Sequence, residues 1–429
     1  MTASTTQPSQ PPQPPGLPET SSDVLVGPPA QTLREAFAEY RGRVAGGDIG
    51  LLSAVLGLVA LLAFFSLLEP DTFTTTRNFA NLMNQAAGVA FISMGLVFVL
   101  LLGEIDLSAG FLAGTAGAIL GVTLSNGSPW YLAVAACLGT GATFGLVVGL
   151  LVAYLRIPSF VVTLAFFLGL QGVLLAVIGE GGTIRISDSV ILAVNNRNLS
   201  PALGWVFVTV VVLGYVVVGS VARKRRAATG LPLSSASVFW GGAVVLAVVL
   251  ALLAYLFNLE RAVNPDIVSL RGIPIVVPLA VVFIAALSFV LTRTSFGRHV
   301  FAVGGNAEAA RRSGINVAGT RVACFVISGS LAAVGGIIIA SRDNAVSPTT
   351  GGGETLLFAV AAAVIGGTSL FGGRGTIIGA VLGALVVASI RNGLPLIASG
   401  SAIIFMVTGL VLLLAATVDA VSRRRGTTG

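Results

Sequence analysis

Apolar segments long enough to cross a lipid bilayer recur along almost the whole chain after residue 49, and this repetition limits the possible folds more than any other feature. Crossing the hydrocarbon core takes roughly 20 apolar residues, at about 1.5 Å per residue in a helix. Because 55% of the residues are hydrophobic and only 10% are charged, one soluble core could not bury so much apolar surface. We therefore expect an all-α, polytopic membrane protein with 10–12 transmembrane helices.

Twelve segments are candidates for these helices. They lie near 51–68, 82–103, 109–124, 131–155, 160–178, 201–220, 237–258, 273–292, 321–341, 355–368, 375–396 and 402–420. The segment 355–368 is short and interrupted by glycine, so a re-entrant segment is the alternative there.

The basic residues predict the orientation of the chain, since Lys and Arg are retained on the cytoplasmic side of short loops. If the N-terminus is cytoplasmic, 17 of the 24 basic residues fall in cytoplasmic loops or tails, including the runs Arg223–Arg226 and Arg423–Arg425. Both termini are then cytoplasmic. The net charge of +7 follows from this topology, and a nucleic-acid partner is not expected because no basic soluble domain is present.

The ends of the chain differ from its apolar body. Residues 1–30 contain eight of the 18 prolines among polar residues, which predicts a disordered cytoplasmic tail. Residues 31–48 begin with a helix-capping pattern and predict an amphipathic helix on the membrane surface. The transmembrane domain is predicted over 49–421, with a long cytoplasmic loop at 293–321 and a basic cytoplasmic tail at 422–429.

Glycine recurs at helical spacing in three of the apolar segments, which indicates close contact between helix backbones in lipid. The stripes are Gly110, Gly114, Gly117 and Gly121; Gly141, Gly145 and Gly149; and Gly375, Gly379 and Gly383. A weak internal repeat relates Gly103–Gly110 to Gly366–Gly373, which includes Thr368 and Ser369. Paired glycine-interrupted segments are typical of transport pathways, although a chance match is the alternative in a chain with 54 glycines.

Several kinds of chemistry are excluded by the residue types present. The single lysine, Lys224, does not follow a glycine, so no phosphate-binding loop for ATP exists in this chain. We find neither a grouping of His, Cys and carboxylates at metal-ligand spacing nor a nucleophile with a base, so we expect no enzyme activity and no cofactor. Cys137 and Cys324 lie in apolar segments, where buried small hydrophobic residues are expected.

Glu104 and Asp106 are acidic residues beside an apolar segment, with no basic residue in the same loop. Ionisable groups at membrane depth are costly, so they indicate a substrate path, a gate or a proton relay. The alternative is a cytoplasmic turn in which Asp106 or Ser108 caps the third segment. A proton-coupled carrier would need such a carboxylate deep in the membrane.

The loop 293–321 is the longest predicted cytoplasmic connection. Its residues 308–315 predict a short helix that Asn306 caps and Gly314 ends. A solvated amphipathic loop without a partner is the simpler interpretation.

Four motifs together resemble the permease subunits of bacterial sugar ATP-binding cassette importers of the ribose, galactose and xylose group. They are the loop from Thr294 to Gly314, Gly103–Ser108 (GEIDLS), Ile157–Leu164 (IPSFVVTL) and Val364–Leu370 (VIGGTSL). The resemblance extends over nearly the whole chain after residue 49. Within the group the chain is most similar to xylose permeases, which carry an added pair of spans with a basic link, here Arg223–Arg226.

This resemblance implies the sugar/vitamin-type importer permease fold in the cytoplasmic membrane. The implied partners are a second permease copy, cytoplasmic ATPase subunits and an extracytoplasmic sugar-binding protein. Coupling to the ATPase would run through Asn306, Glu308, Ala309, Arg311, Gly314, Ile315 and Asn316. The path or gate would include Glu104, Asp106, Ser108, Thr368 and Ser369, with sugar contacts at Asn84, Ser159 and Gln171. Docking of the binding protein would involve Asp343, Asn344 and Glu354.

We thus expect import of a monosaccharide, with xylose as the first candidate and ribose, arabinose or galactose as alternatives. A secondary carrier coupled to protons or ions is the hypothesis from another class, with a neutral channel after it.

Overall fold

Helices account for most of the chain that the structure describes. The structure is a computed structural model that describes residues 51–229, 236–262, 264–267 and 269–397, with isolated positions between 402 and 417. The helices are α1 (Leu51–Leu68), α2 (Pro70–Phe73), α3 (Thr76–Leu101), α4 (Ala109–Ser125), α5 (Trp130–Ala153), α6 (Ser159–Ile178), α7 (Ser189–Asn196), α8 (Pro201–Ala228), α9 (Ala236–Asn258), α10 (Val276–Arg293), α11 (Ser295–Gly305), α12 (Ala307–Arg312), α13 (Val317–Asp343), α14 (Gly353–Ile365) and α15 (Ile377–Ile397). Two short strands, β1 (Ile184–Arg185) and β2 (Ala345–Val346), pair antiparallel.

The prediction of an all-α, multi-pass membrane protein is confirmed. Within the described residues, eight helices are long and apolar enough to cross a membrane, and shorter apolar helices lie in α1, α4 and α14. Eleven of the twelve predicted segments coincide with these helices. At 13 residues, α14 is shorter than the roughly 20 that a full crossing needs, and the re-entrant alternative for 355–368 stays a prediction. The predictions for 1–30, 31–48, 402–420 and 422–429 lie outside the continuously described residues.

The helices form a buried centre and a peripheral layer. Of an apolar stretch of 18 residues in each helix, 89% is buried in α3, 72% in α15 and 61% in α13. The peripheral helices α8, α9 and α10 bury at most 11% of theirs. Exposed apolar side chains on these three helices suit contact with lipid, which does not penalise apolar surface as water does.

Glycine brings the backbones of the central helices together, as the sequence predicts. A Cβ atom at Gly145 in α5 would lie 2.9 Å from the Cα of Val326, and one at Gly149 would lie 2.9 Å from the Cα of Val322, both in α13. In the same way, a Cβ atom at Gly383 in α15 would overlap the carbonyl oxygen of Ala362 in α14. These helices can approach so closely only because glycine has no side chain at these positions.

The connecting segments gather at two ends of the bundle. The α12 end contains the segments 102–108, 154–158, 294–316 and 366–376, joined for example by a hydrogen bond from the Gly373 N–H to the Leu101 carbonyl (2.9 Å). The strand end contains 179–200, 259–275 and 343–352, where the Ile186 N–H donates to the Asn344 carbonyl (2.9 Å). Each end joins only segments that the distribution of basic residues assigns to one side of the membrane, so the predicted topology is self-consistent.

Candidate functional site

The short helix α12 is capped by hydrogen bonds at both of its ends. The Asn306 side chain accepts a hydrogen bond from the Ala309 N–H (2.9 Å) and so caps α12, as predicted. The helix ends before Gly314, whose φ of +83° is left-handed and favours glycine. Asn316 then caps α13 through the Gly319 N–H (2.9 Å). The predicted helix and its stop are confirmed.

The charged side chains of α12 are exposed. Glu308 pairs with Arg311 at 3.0 Å and with Arg312 at 3.4 Å, and all three side chains are more than half exposed. Exposed pairs at this helical spacing contribute little stability, typically below about 1 kcal/mol. These charges can therefore exchange partners at small cost. The buried Ala310 and half-buried Ile315 attach α12 to the rest of the chain.

The segment before α12 meets two loops through close backbone contacts. A Cβ atom at Gly304 would overlap the Leu101 carbonyl oxygen and lie 3.0 Å from the backbone nitrogen of Gly373. We call this contact the glycine junction, formed by Leu101, Gly103, Gly304, Gly372 and Gly373. It joins the end of α11 to the loops 102–108 and 366–376, which belong to the two members of the predicted repeat.

An ion pair lies beside the glycine junction. Glu104 Oε1 is 3.1 Å from Arg321 Nε, with 15% and 26% of the respective side chains exposed. This Nε makes no aligned hydrogen bond among the described residues, so the attraction is mainly between charges. The pair borders a cavity of about 750 Å³ that Arg156, Ser159 and Arg311 also line. Glu104 was predicted without a basic neighbour in its own loop, and Arg321 supplies that neighbour from α13.

Asp106 is buried and fully engaged in hydrogen bonds. Its Oδ1 accepts from the Ser108 N–H (3.0 Å) and the Ser108 hydroxyl (2.6 Å), and its Oδ2 accepts from the Ser328 hydroxyl (2.9 Å). These bonds fasten the loop 102–108 to the middle of α13, since Ser328 lies well inside that helix. The geometry favours the structural alternative for Asp106. Ser108 does not cap α4 with its side chain, whereas Asp106 accepts the Ser108 N–H at the start of that helix.

The three residues predicted to contact sugar are not brought together. Ser159 is buried at the α12 end, where its hydroxyl accepts from the Ile105 N–H (3.2 Å). Gln171 is exposed 12 residues further along the same helix, about 18 Å away at 1.5 Å per residue. Asn84 lies on α3, and its buried Oδ1 has no hydrogen-bond partner among the described residues.

Thr368 and Ser369 are both buried in the loop after α14. The Ser369 hydroxyl accepts from the Phe371 N–H (3.0 Å), whereas the Thr368 hydroxyl has no hydrogen-bond partner in the described part of the chain. Thr368 packs against Gly375, so the loop is tightly folded around it. Both residues lie next to the glycine junction rather than in an open path.

The residues predicted to dock a binding protein lie at the strand end. Asp343 pairs with Arg342 at 2.8 Å, and Glu354 lies in the first turn of α14. Asn344 is left-handed, with a φ of +55°, and its side chain accepts from Asn196 Nδ2 (2.9 Å). Asn344 therefore shapes the turn that leads into β2.

The loop 259–275 forms a second ordered surface at the strand end. Glu260 accepts hydrogen bonds from the N–H groups of Ala262 and Leu270 and from the Ser269 hydroxyl, and these bonds lower its pKa to about 2. Arg261 is buried and donates to the carbonyls of Phe257 and Gly272 (2.7 and 2.8 Å). Sequence analysis did not single out this loop, because nothing in its composition distinguishes it from a solvated connection.

Polar side chains inside the central helices were also missed. Asn81 and Gln85 lie on α3, and Arg391 lies on α15, where they border a second cavity. The available signal was a charged or amide side chain within an apolar segment. Among the described residues, no cluster of His, Cys, Asp and Glu could hold a metal ion.

Comparisons with known proteins agree with this architecture. Residues 78–416 match a family described as branched-chain amino acid transport system / permease component. The xylose transport system permease protein of Haemophilus influenzae is 35% identical over 373 residues, which cover 86% of this chain and 96% of that protein. Its Escherichia coli K12 counterpart is 34% identical, over 89% of this chain and 96% of the relative.

The ribose import permease protein of Escherichia coli K12 is 31% identical over 366 residues, which cover 85% of this chain and 92% of that protein. No solved structure matches the chain significantly. A match to a permease family over most of the chain, together with a bundle of apolar helices, makes this a multi-pass membrane protein with a transport role. The chain belongs to the family of transport-system permease components that also includes these xylose and ribose permeases.

Proposed function

We propose that this chain is the permease subunit of an ATP-driven importer that brings xylose across the cytoplasmic membrane. The similarity to xylose permeases over 96% of their length supports xylose as the substrate. The chain is also similar to ribose permeases, at lower identity, so another sugar is the alternative substrate. ATP would be hydrolysed on a separate subunit. The observation that carries the proposal is the exposed, capped helix α12, which is joined to two partly buried loops through the glycine junction.

In this mechanism an ATPase subunit binds α12 and moves it. The residues in contact with that subunit are Asn306, Glu308, Ala309, Arg311, Gly314, Ile315 and Asn316. Movement passes to the loops 102–108 and 366–376 because the glycine junction contains backbone contacts, without a flexible side chain to absorb it. Glu104, Asp106, Ser108, Thr368 and Ser369 are proposed to set the position of these loops and hence the gate.

We further propose the orientation and the assembly. The α12 end and both termini face the cytoplasm, and the strand end faces outward, as the basic residues predict. The sugar-binding protein would dock on the strand end, near Asp343, Asn344 and Glu354. A second copy of the chain completes the transporter, as in the family that the sequence resembles.

The test is uptake of labelled xylose into proteoliposomes that contain this chain, its ATPase and its binding protein. Supplied ATP is compared with an imposed proton gradient. Uptake that requires ATP and the binding protein, and that ionophores do not reduce, would support the importer. Uptake driven by the gradient alone would replace it with a secondary carrier and draw attention to Glu104 and Asp106. ATP-dependent uptake of other sugars only would keep the mechanism and discard xylose.

Coupling through α12 is tested by replacing Glu308 and Gly314 together. We expect loss of ATP-dependent uptake while the complex still inserts into membranes, because the capped turn no longer presents the same surface. The matched control is Lys224→Gln, which changes an exposed charge near the end of α8, on the predicted cytoplasmic side. Normal uptake by the double variant would contradict the proposed role of α12.

A further inference from the structure

A polar cavity of about 390 Å³ lies among the central helices, near the strand end of the bundle. It is bordered by α3, α13 and α15, and its polar lining consists of Asn81, Gln85, Arg342 and Arg391. Its volume falls in the range of roughly 300–1,000 Å³ typical of small-molecule sites. Gln85 and Arg391 lie within predicted membrane-spanning segments, where polar and charged groups cost free energy, so their meeting in one cavity indicates a function.

Arg391 is the central polar group of this cavity. Its guanidinium lies 4.5 Å from the centroid of the Phe358 ring, a fully buried side chain on α14 that holds the planar group in place. Among the described residues, no hydrogen bond and no ion pair within 4 Å involves Arg391. Because a guanidinium has five N–H donors, Arg391 can donate several hydrogen bonds to a ligand in the cavity.

Two carboxylates outside the lining of the cavity nearly balance the charges of its two guanidinium groups. Arg342 is balanced by Asp343 at 2.8 Å, and the carboxylate of Glu354 lies close enough to Arg391 to stabilise its charge. Asn81 and Gln85 each carry an amide that both donates and accepts hydrogen bonds. A neutral polyhydroxyl compound would find donors in the guanidinium and amide groups that line the cavity, and acceptors in the two amides.

The rim of the cavity is fixed by a direct contact between two of its helices. Asn78 Nδ2 on α3 donates to Asn392 Oδ1 on α15 at 2.8 Å. Asn392 follows Arg391 in the sequence, so this bond sets the register of α15 against α3. Gln85 and Arg391 thereby lie on facing helices across the cavity.

We propose that this cavity binds one monosaccharide on its route through the permease, with Arg391, Asn81 and Gln85 hydrogen-bonding its hydroxyl groups. The inference rests on the proposed sugar transport and deepens it by naming a site within the subunit. Entry is from the strand end, which faces outward in the proposed orientation. The site differs from the sugar contacts predicted at Ser159 and Gln171, which the structure places apart.

The first experiment measures access and protection. The variant Ala388→Cys places a thiol in the lining of the cavity, and the native Cys137 and Cys324 are fully buried. In the assembled complex, a small thiol reagent should label the introduced thiol, and xylose should slow that labelling severalfold while inorganic phosphate should not. The control Asn126→Cys, at an exposed residue that does not line the cavity, should be labelled at the same rate with or without sugar.

The second experiment measures uptake by variants of the polar groups. Arg391→Lys keeps the charge but removes the planar set of donors, so xylose uptake at saturating loaded binding protein should fall roughly tenfold, as expected for lost charge-assisted hydrogen bonds. Gln85→Ala should act in the same direction, and the apparent affinity for the binding protein should not change. The matched control is Asn126→Ala.

The outcomes separate this inference from the proposed function. Absence of labelling at position 388, labelling that xylose does not slow, or protection by inorganic phosphate would each overturn the sugar site. So would full uptake by both Arg391→Lys and Gln85→Ala. Uptake by the unaltered complex tests the proposed function independently, because it does not depend on where the sugar binds.

Discussion

The glycine junction makes a sharp prediction about two neighbouring residues, Gly304 and Gly305. In Gly304→Ala the new Cβ would overlap the Leu101 carbonyl oxygen and lie 2.9 Å from the Leu101 carbonyl carbon, where ordinary contact begins at 3.4 Å. The two backbones must separate by well over about 0.5 Å, the difference between these distances. A Cβ at Gly305 meets no atom within 4 Å.

The expected cost follows from this displacement. Forcing extra atoms into a packed contact costs about 1–3 kcal/mol, and weakening the 2.9 Å hydrogen bond from Gly373 to Leu101 would add about 1 kcal/mol. Gly305→Ala should be neutral or slightly stabilising, since alanine is the better helix former.

We would measure thermal unfolding of the purified permease in nanodiscs and ATP-dependent uptake by the assembled complex. Gly304→Ala should unfold at a lower temperature and lose at least about tenfold in uptake, which corresponds to 1.4 kcal/mol. Gly305→Ala should match the unaltered protein in both assays. Equal behaviour of the two variants would refute the claim that the junction transmits motion through close backbone contact.

Three further predictions follow from other contacts. Gly145→Ala should lower the unfolding temperature because the added Cβ would press on Val326. Gly139→Ala should not, because no atom lies within 4 Å of its added Cβ. Equal unfolding temperatures would contradict the packing of α5 on α13. Because the folded-state pKa of Glu260 is about 2 against an ordinary 4.5, its contribution to loop stability should be complete above about pH 4.5 and disappear as the pH falls toward 2. Proteolysis of the loop 259–275 should show this acid sensitivity, and Glu260→Gln should abolish it. Arg321→Gln should leave the half-buried Glu104 without its partner and reduce uptake severalfold. Exchanging the two residues should restore part of the uptake. An exchanged variant with no more uptake than Arg321→Gln would argue against the ion pair.

Much of the fold follows from local chemistry in the sequence. Hydropathy alone places the helices, because a bilayer requires long apolar segments whatever their packing. Asn306 and Gly314 define α12 through short-range bonds, so its boundaries could be predicted from neighbouring residues. The glycine stripes likewise record close contact, since few other residues would permit it.

The partners of those helices could not be predicted in the same way. An apolar helix in lipid has little contrast between its buried and exposed faces, so periodicity does not reveal which helix it meets. The contact between Asp106 and Ser328 joins residues 222 positions apart, and Glu104 finds Arg321 at a similar separation. The cavity around Arg391 is also a product of three distant helices. Sequence analysis therefore selected Ser159 and Gln171 by residue type alone.

The peripheral helices α8 and α9 have a consequence for how this chain can vary. Together they bury few side chains, and they reach the centre through a narrow strip that includes Val208, Ala254 and Phe257. Outside that strip, any apolar residue satisfies the lipid equally well. Substitutions there should accumulate freely so long as they remain apolar, while the same exchanges in α3 or α13 would meet a neighbouring backbone. Among apolar substitutions, mutational tolerance in this protein should thus increase with distance from the central helices.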